Sequence, residues 1–244
     1  MGNLIEMNKG LHLVEPGPVA EIKNVTKDFG AVRALDHVDL KIPEGRIIGL
    51  LGANGSGKTT LLKILAGFYT SYDGEVLIDG FHPGAETKAR VAYLPDKGGL
   101  PGNMPVKEII SLYDTFFDDF DAGKCREILQ IFELNESQLP ENMSKGMVDK
   151  LQIALLMARK AKLYLLDEPI GGVDIEARDH VLDLILDNFN PEGSMIIVTH
   201  LIRDIERLFD SVIVLKKGKV EAFKDTDELR AEGESLEEVL KKMF

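Results

Sequence analysis

Short apolar runs broken by glycine, proline or aspartate recur along the chain from Val19 onwards. Such runs, rich in Val, Ile and Leu, are typical of β-strands. The first three read VAEIKNV, DHVDLKI and RIIGLLG. The third shows no alternation of apolar and polar residues, which indicates a strand that is buried on both faces. Four later runs predict further strands: EVLIDG, RVAYLP, KLYLLDEP and MIIVTH.

Helical patterns lie between these predicted strands. In the segment TTLLKILAGF, Leu61, Leu62 and Leu65 fall on one side of a helix. A second helix is predicted at about 176–189, a short helix follows MIIVTH, and SVIVLKKGKVEAF predicts a closing hairpin. Strands that alternate with helices indicate an α/β sandwich with a mostly parallel core sheet.

One segment departs from this alternation. Residues 106–134 are mostly helical in pattern, so we expect a helical subdomain of about residues 100–155 inserted between strands. Residues 1–18 are interpreted as a tail, residues 19–244 as one domain, and EGESLEEVLKKMF as a short surface helix. The inserted segment carries aromatic residues that are predicted to form its core: Tyr113, Phe116, Phe117, Phe120 and Phe132.

Composition excludes several classes of function. The chain has 29 Lys and Arg against 41 Asp and Glu, and this net charge of −12 disfavours binding to nucleic acid or to an anionic lipid surface. Cys125 is the only cysteine, so a reducing compartment is expected. No apolar run approaches the ~20 residues of a membrane-spanning helix, and no secretory signal is recognisable. Any link to a membrane is therefore expected to run through a partner.

The stretch GANGSGKTT fits the P-loop pattern G-x-x-x-x-G-K-[ST], and it stands between an apolar strand and a helix. Glycines let backbone N–H groups surround phosphate oxygens, and the helix N-terminus adds its positive dipole end. Lys58 is expected to reach the β- and γ-phosphates, and Thr59 to ligate Mg²⁺. The alternative is a glycine-rich turn formed by chance. The residues predicted to bind nucleotide are Gly52, Asn54, Gly55, Ser56, Gly57, Lys58, Thr59 and Thr60.

Two acids follow the buried strand in KLYLLDEP. Asp167 stands at the carboxyl end of this strand, where ligands bind in open α/β sheets, and it fits the metal-binding acid that partners a phosphate loop. Glu168 comes next and can orient or deprotonate a water for attack on the γ-phosphate. The alternative is two solvated acids at a strand end. Together with the phosphate loop, the pair predicts a nucleotide hydrolase.

Between these two motifs lies NMSKGMVDKLQIALL, which resembles the signature segment of ABC-type ATPases, LSGGQ. Ser144 and Gly146 match its serine and second glycine, whereas Lys145 and Met147 replace its first glycine and its glutamine. A residue such as Ser144 also predicts a helix N-cap, and both readings are compatible because a capped helix N-terminus binds phosphate.

Three other segments are similar to the same family. VTKDFGAVRAL resembles the segment whose aromatic residue stacks on adenine, which implies Phe29. GGVD resembles the D-loop and keeps its acid at Asp174, and His200 matches the switch histidine that contacts the γ-phosphate. The resemblance extends from Val19 to Phe223 and implies catalytic roles for Lys58, Glu168 and His200.

Asp96 marks a departure from the family. VAYLPDKGG resembles the Q-loop, in which a glutamine normally meets Mg²⁺ and the attacking water. A carboxylate can replace the amide oxygen as a ligand, because hard cations accept carboxylates. We therefore expect Asp96 to join Thr59 and Asp167 on the metal side of the nucleotide. The alternative is that Asp96 only shapes the turn before Lys97.

The resemblance implies the ATP-binding subunit of an ABC transporter, with a P-loop NTPase fold, an antiparallel β subdomain, and ATP and Mg²⁺ as cofactors. Two such subunits, identical or paired, would close around ATP, with Ser144 and Gly146 of one facing the phosphate loop of the other. The partner would be a membrane-spanning subunit at the inner face of the cell membrane, and SKGM favours an export type. The alternatives are a soluble ABC ATPase, such as one of Fe–S assembly, and a non-hydrolysing regulatory cassette.

Overall fold

The computed structural model describes residues 17–231. The predicted tail lies outside the described residues except for its last two positions, and the predicted helix at 232–244 lies wholly outside them. The strands are β1 Ala20–Phe29, β2 Val32–Ile42, β3 Ile47–Leu51, β4 Asp73–Ile78, β5 Val91–Leu94, β6 Leu163–Asp167, β7 Ser194–Val198, β8 Ser211–Lys216 and β9 Lys219–Asp225. The helices are α1 Lys58–Leu65, α2 Ala85–Arg90, α3 Val106–Phe116, α4 Ala122–Ile131, α5 Lys145–Met157, α6 Ile175–Asn188, α7 Ile202–Ile205 and α8 Thr226–Ala231.

A six-stranded sheet with the order β5-β6-β7-β3-β8-β9 forms the centre of the fold. Every neighbouring pair is parallel except β8 and β9, which form the closing hairpin. Every residue of β3, β6 and β7 is buried, in accordance with their continuous apolar runs. The mostly parallel core sheet predicted from the sequence is confirmed.

A separate three-stranded antiparallel sheet, ordered β2-β1-β4, packs over one face of the central sheet together with α1. Leu61, Leu62 and Leu65 of α1 are buried in the core between the two sheets. A second core lies on the other face, where the central sheet meets the helices. The antiparallel subdomain implied by the resemblance is therefore present, and both cores support the edge of the sheet where the parallel strands end.

The segment between β5 and β6 contains α3, α4 and α5, which form the inserted helical segment predicted from the sequence. The prediction that all of its aromatic residues form the core is wrong for Phe116, whose side chain is 71% exposed. The buried stripe of α3 passes through Val106 and Ile110 toward Phe117, and Phe116 lies beside that stripe at the helix end. No helix within residues 17–231 is long and apolar enough to cross a membrane.

Arg159, just beyond α5, joins the helical segment to the central sheet. Its buried guanidinium makes two hydrogen bonds to the carboxylate of Asp119, at 2.7 and 3.1 Å. It also donates to the carbonyl oxygens of Ala89 and Val91 at 2.6 and 3.1 Å, and it lies 3.8 Å from the ring centroid of Phe117. One side chain thus binds the start of β5 to the turn that follows α3.

We expect Arg159→Met to lower the free energy of unfolding by about 3–5 kcal/mol, because it leaves Asp119 and two carbonyl groups without their buried partner. Urea denaturation followed by circular dichroism measures this change. The matched control is Arg126→Met, whose pair with Glu136 is close to half exposed on both sides and is worth about 0–1 kcal/mol. Equal losses for the two variants would contradict the role given to Arg159.

Candidate nucleotide site

The loop between β3 and α1 has a conformation that requires glycine. Gly52 and Gly57 have φ of 157° and 109°, a region that side chains other than glycine rarely adopt. A Cβ at Gly52 would collide with the carbonyl oxygen of Leu215, and one at Gly57 with that of Ala34. The tight loop delivers the chain into the N-terminus of α1, where free N–H groups and the helix dipole favour an anion.

Lys58, the first residue of α1, is buried and folds back over this loop. Its ammonium group donates to the carbonyl oxygens of Gly52 at 2.7 Å and Ala53 at 3.0 Å. Burial lowers the pKa of Lys58, and the negative charges of Glu168 and Asp167 partly oppose that shift. The cation is therefore held beside two acids, and a phosphate group would provide stronger charge compensation than the two carbonyls.

Asp167, the last residue of β6, meets α1 through Thr59. The Thr59 hydroxyl donates to Asp167 Oδ2 at 2.9 Å. Burial raises the pKa of Asp167, the Thr59 hydrogen bond opposes the rise, and the charge of Asp96 adds to it. No cluster of three or more His, Cys, Asp or Glu suited to a metal exists in the described part of the chain. One hydroxyl and one carboxylate instead fit Mg²⁺, which commonly binds one or two protein oxygens together with substrate phosphates.

Glu168 follows in a strained conformation, with φ of 57°, and its backbone N–H donates to the carbonyl of Val198. Its Oε2 accepts a hydrogen bond from the backbone N–H of His200 at 3.2 Å. Its Oε1 is buried and lies 3.3 Å from His200 Nε2. Burial, as the main cause, raises the pKa of Glu168. A carboxylate with a raised pKa beside an exposed imidazole is suited to accept a proton.

These groups surround a cavity of about 650 Å³ at the carboxyl edge of the central sheet. Its walls include Phe29, Asn54, Lys58, Thr59, Asp96, Asp167, Glu168 and His200. Three buried side-chain polar atoms in residues 17–231 make no hydrogen bond: Ser56 Oγ, Tyr93 Oη and Glu168 Oε1, of which the last contacts His200 Nε2. Tyr93 and Glu168 line the cavity, and Ser56 lies in the phosphate loop. Since buried polar groups are nearly always paired, this concentration is typical of a polar ligand site.

Phe29, at the end of β1, also lines the cavity. Its ring is 43% exposed and packs edge-on against Tyr69 at 5.4 Å between centroids. Lys27 Nζ lies 4.8 Å from the Phe29 centroid. Phe29 is therefore not buried in the core, although a lone aromatic residue in a sequence more often is. Its exposed part can contact a planar ring.

Asp96 is exposed in the loop after β5 and lines the same cavity. Gln152 of α5 holds this loop, because its Nε2 donates to the carbonyl of Gly98 at 2.6 Å. The position agrees with a role near the metal side of a nucleotide. It also leaves the turn interpretation open, since the exposed carboxylate has no protein hydrogen bond among those described.

Ser144, Gly146 and Asp174 do not line the cavity. Ser144 caps α5 by accepting a hydrogen bond from Met147 N at 3.2 Å, as the sequence predicts. Asp149 Oδ2 accepts from Gly172 N at 2.9 Å, which ties the first turns of α5 to the loop before Asp174. These three residues thus form a second group, separate from the phosphate loop within one chain.

Sequence reasoning missed several residues of the cavity wall. Arg33, Lys63 and Tyr93 all line it, although none was predicted to take part. Lys63 could have been found, because it lies four residues after Thr59 on the helix that begins at the phosphate loop. Arg33 and Tyr93 reach the cavity from strands of two different sheets. No local sequence pattern indicates that these two strands contribute to one cavity.

Comparison with known proteins agrees with this geometry. A family profile described as ABC transporter matches residues 35–171. The uncharacterized ABC transporter ATP-binding protein MJ1023 of Methanocaldococcus jannaschii is 34% identical over 212 residues, 83% of this chain and 76% of that protein.

Solved structures give the same result. A chain described as an ATP binding subunit of an ABC transporter is 27% identical, with a TM-score of 0.84, over 92% of this chain and 98% of that one. A dimeric, post-hydrolysis structure of the ATP-binding cassette MJ0796, bound to ADP and Pi, is 25% identical with a TM-score of 0.74, over 84% and 98% of the two chains. The chain described here therefore belongs to the ABC transporter family of ATP-binding proteins.

Proposed function

We propose that this protein binds and hydrolyses ATP with Mg²⁺ and thereby drives transport through a separate membrane-spanning partner. The observation that carries the proposal is the convergence of Lys58, the Thr59–Asp167 pair and Glu168 on one cavity that also concentrates the unpartnered buried polar atoms. Cations, a metal-binding pair and a base in one place are what phosphoryl transfer to water requires.

Different residues of the chain bind the phosphates, bind the metal and activate the water. Backbone N–H groups of the loop and the ammonium of Lys58 hold the phosphates. Thr59 and Asp167, with Asp96, provide oxygen ligands for Mg²⁺, which when bound neutralises charge on the phosphates. Glu168 orients a water and accepts its proton, because burial raises the pKa of this carboxylate and makes it a stronger base. His200 holds Glu168 in place and faces the γ-phosphate.

The group formed by Ser144, Gly146 and Asp174 supports action as a dimer. These residues lie away from the phosphate loop of their own chain, so we infer that they complete the site of a second copy or of a paired ATPase subunit. The dimeric relative bound to ADP and Pi supports this arrangement. ATP would then join the two subunits, and hydrolysis would release them.

The family supports a membrane-spanning partner, because relatives carry the description ABC transporter. We place the protein in the cytoplasm, at the inner face of the cell membrane, bound to that partner. Affinity purification from detergent-solubilised membranes tests this: co-purification of a multi-span membrane protein supports the proposal, and recovery only with soluble proteins contradicts it.

Asp96 gives a sharper test of the metal side. If its carboxylate assists in binding Mg²⁺, Asp96→Ala and Asp96→Asn should both raise the Mg²⁺ concentration for half-maximal ATPase activity several-fold, because both remove a charge. Asp96→Gln should retain substantial activity, since it restores the group that this family usually carries here. Magnesium titration of the ATPase rate measures all three variants against the wild type.

The turn interpretation makes the opposite prediction for asparagine. Asparagine favours turns as aspartate does, so Asp96→Asn would behave like the wild type if Asp96 only shaped the loop. An unshifted magnesium curve for Asp96→Asn would remove Asp96 from the metal side.

A further inference from the structure

Tyr93 is the third residue of β5, and it stands at the wall of the nucleotide cavity. Its ring packs against the core between the sheets and against Phe68, at 5.4 Å between centroids. Its hydroxyl oxygen is buried, and within residues 17–231 no group is hydrogen bonded to it. The packing fixes the direction of the hydroxyl without giving it a partner.

An unpaired buried hydroxyl is costly, and native proteins rarely keep one without a reason. A phenylalanine would fill the same space in β5 without that cost. The surroundings of Tyr93 also keep its proton in place: burial, and then the charges of Asp167 and Asp96 among others, raise its pKa to about 12. The hydroxyl is therefore a hydrogen-bond donor at neutral pH, and it stands within electrostatic reach of both carboxylates.

We propose that the Tyr93 hydroxyl donates a hydrogen bond to an oxygen of the bound magnesium–ATP complex, in the cavity that Asp96 and Asp167 also line. This inference rests on the proposed function, and it adds a binding residue to that site. Both carboxylates carry negative charge, so a neutral donor on the same cavity wall can bind an oxygen without adding further repulsion. The cost of the unpaired hydroxyl is then removed only when the complex binds.

Tyr93→Phe separates this role from a structural one, because it should act on two properties in opposite directions. Without nucleotide, the variant should melt at the same temperature as the wild type or higher, since an unpaired buried hydroxyl is removed. With Mg²⁺ and a non-hydrolysable ATP analogue, it should bind about five- to twentyfold more weakly. Differential scanning fluorimetry and isothermal titration calorimetry measure these quantities.

Tyr72→Phe is the matched control. It removes a half-buried hydroxyl that does not line the cavity, and it should leave the affinity unchanged. A wild type that fails to bind the analogue would overturn the proposed function and this inference together. If the wild type binds and Tyr93→Phe binds equally well, only this inference falls. A Tyr93→Phe protein that melts lower and binds normally would likewise overturn it, since the hydroxyl would then have a structural partner.

Discussion

Glu168→Gln should bind ATP as the wild type does and hydrolyse it about 10²–10⁴-fold more slowly. The glutamine amide oxygen can still accept the hydrogen bond from His200 N–H, so the geometry of the site is kept. What is lost is the basic carboxylate whose pKa is raised by burial. The free energy of unfolding at neutral pH should not fall, because a neutral group replaces a charge that is costly to bury.

A second property makes this result specific. If ATP joins two copies of the chain and only hydrolysis separates them, Glu168→Gln should accumulate as a dimer in ATP, visible by light scattering. Glu86→Gln changes an exposed acid of α2 that does not line the cavity, so it should hydrolyse ATP normally and show no such shift. Normal turnover in Glu168→Gln would show that another group accepts the proton.

Lys58→Ala should lose both ATP binding and turnover. The ammonium group faces phosphate in the bound state and throughout the reaction, so its removal affects ground state and transition state alike. A charge-assisted hydrogen bond of this kind corresponds to about a 10- to 150-fold change in dissociation constant. A fluorescent ATP analogue measures the affinity directly, independently of hydrolysis.

The controls for Lys58 separate charge from folding. Lys58→Arg retains the charge and should bind better than Lys58→Ala, although its planar group fits the loop poorly. Lys41→Ala removes an exposed surface lysine and should leave binding unchanged. Lys58→Ala also leaves the carbonyl oxygens of Gly52 and Ala53 without their donor, so melting of each variant without nucleotide is measured beside its affinity. Unchanged affinity in Lys58→Ala would mean that the phosphates bind elsewhere.

Those parts of the fold that depend on local pattern could be predicted from the sequence. The runs that form β3 and β6 are apolar at every position but one, and such runs are typical of a strand covered on both faces. The short helix α2 was missed, because AETKAR shows no apolar period. Phe116 was assigned to the core on residue type alone, and only the direction of the α3 stripe reveals its exposure.

The candidate site likewise contains residues that could be predicted from the sequence and residues that could not. Lys58, Thr59, Asp167 and Glu168 belong to motifs whose spacing carries the chemistry, so the sequence was sufficient to bring them together as a hypothesis. Tyr93 and Arg159 carry no such motif. Their roles depend on which distant segments the fold brings beside them, Asp167 for the first and Ala89 for the second.

The central position of β3 has a consequence for synthesis on the ribosome. β3 pairs with β7 on one side and with β8 on the other, so neither neighbour exists until residues 194–216 have been made. At about 5–20 residues per second, the phosphate loop is synthesised about 7–30 s before the strands that flank β3. Throughout that interval the very apolar strand that leads into it has no sheet to join. A nascent chain of this protein therefore exposes an aggregation-prone segment early and buries it late. A chaperone would be of most use in the interval between these two events.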